Sequence, residues 1–126
     1  MADMDITKIA DGADIPELSV KMPSKADGTL FSPKMDSWEI VLWVHTNKRV
    51  VVRYNASKGE YESIGEIQAN CSIGEDKIVL YIKASEMSFG KGELKGQMTV
   101  FIPNTNYKNE EQVGKTLETK LGIHIV

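Results

Sequence analysis

The stretch Trp38–His45, WEIVLWVH, constrains this chain more than any other. Read as extended backbone, it places Trp38, Ile40, Leu42 and Val44 on one face and Glu39, Val41, Trp43 and His45 on the other. The first face is wholly apolar and the second is mixed. That is the period-2 pattern of a strand with one side in a core and the other partly covered. Both tryptophans of the protein lie here, and buried aromatic rings dominate core energetics. The remaining segments read as strands that pair with this one or pack onto it.

Thr46-Asn47-Lys48 links this strand to Arg49–Tyr54, RVVVRY, so the two form an antiparallel hairpin. On the second strand Val50, Val52 and Tyr54 share a face, and Val51 alternates with Arg49 and Arg53 on the other. One of those arginines can form an exposed ion pair with Glu39. Upstream, Leu18–Met22 alternates and is stopped by Pro23. Asp27-Gly28 marks a turn, and Leu30 and Phe31 are expected to form a small satellite of the core. Downstream of the polar stretch Asn55–Gly65, Glu66–Ile73 puts Ile67, Ala69, Cys71 and Ile73 on one face. Lys77–Lys83 is apolar on both faces, which suits a central strand or one whose outer face meets another subunit. Ala84–Gly92 breaks the pattern, with room for one helical turn. Glu93–Pro103 is a strand whose Gly96 predicts a bulge or a close backbone approach. Asn104–Lys115 reads as a long polar loop, and Thr116–Val126 as the last strand.

About seven strands at regular spacing, with almost no helix, predict an all-β chain, an antiparallel β-sandwich of immunoglobulin-like or jelly-roll-like type. The predicted organisation is an extended N-terminal arm over residues 1–17, Asp-rich and polar, and one sandwich domain over residues 18–126.

The formal net charge of −3 argues against binding nucleic acid by phosphate neutralisation. No run approaches the ~20 apolar residues of a membrane span. The opening residues, MADMDITKIADGAD, have neither the positive nor the apolar region of a signal peptide. The single cysteine, Cys71, excludes an intrachain disulfide and leans toward a reducing compartment. Cys71 sits in a core-facing set and reads as an inert thiol rather than a nucleophile. The two histidines, His45 and His124, are too few for a three-histidine zinc site. Gly90, Gly92 and Gly96 lead into a strand, not a helix, so turn and bulge is a better reading than a phosphate loop. No catalytic residue, cofactor or metal is expected.

What remains is surface. Val41 and Trp43 lie on the second face of their strand, where an apolar patch would mark protein contact. Ile6, Ile9 and Ile15 are the sizeable apolar anchors of the arm besides its methionines, and Tyr107, Glu110 and Glu111 stand in the polar loop. These eight residues are the candidate interface.

Three stretches carry a family likeness: DSWEIVLWVHTNKRVVVRY (Asp36–Tyr54), GEIQANCSIGEDKIVLYI (Gly65–Ile82) and FGKGELKGQMTVFIPN (Phe89–Asn104). They resemble the aromatic strand and hairpin, the polar-turn-apolar strand pair, and the glycine turn into a proline-ended strand of small β-sandwich structural proteins of tailed phages and prophages of gut bacteria. The resemblance implies a non-enzymatic virion component of the head fibre, capsid, tail or baseplate, made in the host bacterial cytoplasm. It would assemble with other virion proteins, with a homo-oligomer expected, and without nucleic acid or membrane. The alternative is a carbohydrate- or ligand-binding sandwich module with Trp43 or Tyr107 as its stacking platform.

Overall fold

The computed structural model describes residues 7–46, 48–63, 68–83, 90–108 and 110–126. Among these residues the chain is all-β. Nine strands run in order: β1 (Thr7–Ile9), β2 (Ile15–Lys21), β3 (Ser37–Trp43), β4 (Arg49–Asn55), β5 (Glu60–Ser63), β6 (Gln68–Ile73), β7 (Lys77–Lys83), β8 (Gly92–Pro103) and β9 (Glu111–Ile125). They form a six-stranded sheet, β1-β9-β8-β3-β4-β5, and a three-stranded sheet, β2-β7-β6. Every pairing is antiparallel except that of β1 with β9.

The two sheets enclose one core. Trp38, Ile40, Leu42 and Val44 are all buried in it, as the alternation of β3 predicts. Met98 and Val100 of β8 flank them through the pairs Ile40↔Met98 and Trp38↔Val100. The smaller sheet contributes Leu18 and Val20 from β2, Ile78, Leu80 and Ile82 from β7, and Ala69 from β6. β7 is the central strand of its sheet, one of the two readings open for an apolar run of that kind.

Bulges decide several faces. In β3–β4 the register runs Ile40↔Val52 and then Val41↔Val50, so Val51 is the extra residue. Val51 and Val52 are therefore both buried, where simple alternation assigns them to opposite faces. In β2–β7 the register shifts between Ile15 and Leu18, and both side chains reach the core. β2 thus begins three residues earlier than Leu18 and takes in Pro16, a residue tolerated in edge strands and at bulges. Residues Thr7–Ile9 and Ile15–Glu17 of the expected arm are strand, so the boundary expected at residue 17 falls within β2.

β9 departs most from expectation. Its first five residues, Glu111–Lys115, belong to the expected loop, yet they pair with Val100–Pro103 of β8. The alternation is masked by two bulges, each containing a glycine. Gly122 has φ +69, the left-handed backbone that a bulge glycine supplies without strain. At Gly114 a Cβ would fall 2.5 Å from Ile102 Cγ1, so Ile102 lies directly over the glycine. At Gly96 the ladder is regular, and it is side chains rather than backbone that come close: a Cβ there would meet Leu121 Cδ1 at 3.1 Å and Leu42 Cδ2 at 3.2 Å.

Candidate binding surface at one end of the sandwich

Three connections converge on one end. Ser37, the first residue of β3, pairs with Phe101 near the end of β8, and its Oγ accepts the amide of Ala56 just beyond β4 (3.0 Å). The β2–β3 connection, the β4–β5 turn and the β8–β9 loop therefore emerge side by side.

The β2–β3 connection is tied down by core aromatics. Trp38 and Tyr54 stack with ring centroids 5.3 Å apart and planes 11° from parallel. Trp38 Nε1 donates to Pro33 O (2.9 Å) and Tyr54 Oη donates to Lys34 O (2.7 Å). Both polar tips of the buried pair are thus satisfied by the turn they anchor. Within that turn, Asp36 Oδ2 accepts the Ser32 amide (2.7 Å), and Ser32 Oγ accepts the Met35 amide (3.2 Å). Met35 stands at its tip, 77% exposed. Earlier in the connection, Asp27 Oδ1 accepts the hydroxyl and amide of Thr29 (2.6 and 2.9 Å), which hold the Asp27 carboxyl below its usual pKa. Phe31 joins the core and Leu30 is exposed, so the expected satellite is split between inside and outside.

The β4–β5 turn is an Asx arrangement: Asn55 Oδ1 accepts the Ser57 amide (3.0 Å) and hydroxyl (2.7 Å). In the β8–β9 loop the Asn104 amide donates to Glu110 O (2.8 Å), and Asn104 Nδ2 donates to Gln112 Oε1 (2.6 Å). The Glu110 amide closes an inner turn onto Tyr107 O (2.9 Å). Tyr107 is 53% exposed and Val113 is 59% exposed; with Lys108, Glu111 and Gln112 they line a shallow hollow. Ile102 is exposed beside them.

The candidate interface residues separate sharply. Tyr107, Glu110 and Glu111 come together at this end. Val41 and Trp43 do not form an open patch: Trp43 is only 5% exposed, with Lys48 Nζ 4.7 Å from its ring centroid. Ile15 belongs to the core, Ile9 is half-buried against it, and Ile6 lies outside the described residues. Sequence reading missed Met35 and Val113. The Ser-Pro-Lys-Met-Asp stretch, with a side-chain acceptor at each end, was the available signal for a pinned turn presenting Met35. Val113 had no signal, because its strand was not recognised.

The residues weighed for chemistry are placed as follows. Cys71 is half-buried against the core, and loss of solvation pushes its thiol up to about 12, so it carries little thiolate at neutral pH. His45 has φ 60 and its Nε2–H donates to Lys91 O (3.0 Å). His124 pairs across the ladder with Glu93. Among the described residues no three or more His, Cys, Asp or Glu side chains are grouped so as to hold a metal ion. Glu39 and Arg53 form the expected ion pair, through Arg53 Nε at 3.0 Å and Nη2.

Apolar side chains exposed at a hydrogen-bonded loop end are suited to contact with another surface. No protein-family model matches the chain, and no curated protein matches it.

Proposed function

We propose that this chain is a non-enzymatic structural module of a phage or prophage virion, which docks onto another virion protein through the loop end of its sandwich. The observation that carries the reading is the exposure of Met35 and Tyr107 on connections held in place by the core and by their own hydrogen bonds, with Val113 exposed at the adjoining start of β9. Ordering costs are already met in such loops, so apolar contact made there contributes to affinity. The family likeness of Asp36–Asn104 supplies the virion context.

The finer fold in this proposal is the variable-type immunoglobulin sandwich. Its sheets follow the orders G-F-C-C′-C″ and B-E-D, which β9-β8-β3-β4-β5 and β2-β7-β6 match. Trp38 then occupies the place of the buried tryptophan on strand C. Leu18 and Val20 on β2, with Met98 on β8, fill the core between the two strands that a disulfide joins in antibody domains. On this reading the exposed apolar residues sit on the loops that such domains use for recognition.

The test is particle composition. Virions purified from the source strain are expected to contain this chain by mass spectrometry. Particles made with Tyr107→Asp and Met35→Asp are expected to lack it, while the purified variant keeps its circular dichroism spectrum. Absence of the unaltered chain from particles overturns the reading. A second reading, a carbohydrate-binding module, is favoured only by the exposed ring of Tyr107 beside the Asn104–Gln112 amide pair. Binding on a glycan array, lost in Tyr107→Ala, would select it. Trp43 is too buried to stack on a sugar.

A further inference from the structure

Three of the six methionines, Met22, Met35 and Met98, lie among the described residues. Met22 is 3% exposed and Met98 0%, both inside the core, whereas Met35 is 77% exposed. A thioether is oxidised where a peroxide can reach its sulfur. Packing keeps reagents from Met22 and Met98 until the fold opens, so opening limits their oxidation. Met35 meets the reagent in the native state.

The turn that presents Met35 is fixed through its neighbours. Trp38 Nε1 and Tyr54 Oη hold the carbonyls of Pro33 and Lys34, the two residues before it. The Met35 amide donates to Ser32 Oγ (3.2 Å), and the Asp36 amide donates to Ser32 O (3.1 Å). None of these bonds uses the thioether. The backbone therefore holds this side chain at the surface whatever the state of its sulfur, and a polar group there keeps its water in the isolated chain. In an apolar contact the same group loses that water, which is costly. Flexible, polarizable methionine suits such contacts, and the sulfoxide is polar.

We propose that Met35 is a redox-sensitive contact: hydrogen peroxide converts its thioether to the sulfoxide and weakens docking at the loop end. The inference rests on the docking role proposed above for that end. The sulfur lone pair attacks one peroxide oxygen, so an S–O bond forms and the O–O bond breaks. The sulfur gives up two electrons, and the second peroxide oxygen leaves as water carrying both protons. Methionine sulfoxide reductases, with a thiol as reductant, reverse the step.

Brief treatment of the full chain with hydrogen peroxide, followed by peptide mapping in a mass spectrometer, tests the site. Met35 is expected to oxidise on the order of tenfold faster than Met22 and Met98, with the circular dichroism spectrum unchanged. Equal rates at the three, or loss of the spectrum as Met35 oxidises, would overturn the proposal. Particles from a strain lacking the gene for this chain are the docking probe. They are expected to take up the oxidised chain roughly tenfold less than the unoxidised chain, with reductase treatment restoring uptake. Met35→Leu is expected to show the same uptake before and after peroxide, whatever its starting level. No uptake of the unoxidised chain would overturn the docking role and this inference with it. Equal uptake of oxidised and unoxidised chain, or a peroxide effect that persists in Met35→Leu, would overturn this inference alone and leave the docking role standing.

Discussion

The hairpins β3–β4 and β8–β9 both carry large apolar residues on positions beyond the shared core, and they treat them in opposite ways. On β3, Val41 and Trp43 are covered, although neither belongs to the main core cluster. On β8–β9, Ile102, Tyr107 and Val113 stand open to solvent at the loop end. Apolar residues in a strand thus carry two meanings here. Covered, they stabilise the fold through area removed from water. Left open at the loop end, they leave apolar surface available for contact. The pattern of residues is alike in the two hairpins, and only position in the sheet separates them.

Substitution can break that contrast. Trp43→Asp removes a buried ring and introduces a charge where the ring was, so it is expected to destabilise by about 3–5 kcal/mol or more. A urea midpoint that falls at unchanged slope would show it. A midpoint shift of less than about 0.5 kcal/mol would put Trp43 back on the surface with Tyr107. Gly122→Ala forces a side chain into left-handed backbone (φ +69) and is expected to cost roughly 1–2 kcal/mol. The loss should appear in the same urea titration, with Gly12→Ala, at an exposed turn of similar φ, as the reference.

Cys71 extends the contrast to pH. Its folded thiol is held up to about 12 against an ordinary 9.0, so the native state keeps a proton that the unfolded chain releases first. The associated stability is complete below about pH 9 and is lost as pH rises toward 12. Cys71→Ala is expected to flatten that part of the stability profile. An unchanged alkaline profile would remove Cys71 from the covered set.

Smaller effects sharpen the picture. Arg53→Ala breaks the Glu39 pair, half-exposed on the arginine side, and is expected to cost less than about 1 kcal/mol, with the difference shrinking in added salt. Tyr107→Asp is expected to change stability by no more than about 0.5 kcal/mol, because the side chain is exposed at the loop end.

Much of the fold was legible in the residues. The strands β3, β4, β6, β7 and β8 follow period-2 runs, the Trp38 face is the core face, and the β3–β4 hairpin and the Glu39–Arg53 pair are where alternation puts them. The candidate site was legible in part: the loop holding Tyr107, Glu110 and Glu111 was marked by its polarity, Met35 only by the side-chain acceptors Ser32 and Asp36 at the ends of its turn, and Val113 not at all. β5 was missed because Glu60–Ser63 is wholly exposed and offers no apolar alternation. β1 was missed because three residues are too few to show a period.

By itself the sequence determined which side of each long strand is apolar, because side chains alternate along extended backbone whatever surrounds it. Tertiary structure alone decided what covers the second face, how bulges send Val51 and Ile15 inward, and how far Glu111–Lys115 extends the last strand. It also decided that three connections, far apart in the chain, share one end. Alternation is a local property of the backbone, while cover, register shift and the meeting of loops depend on partners distant in sequence.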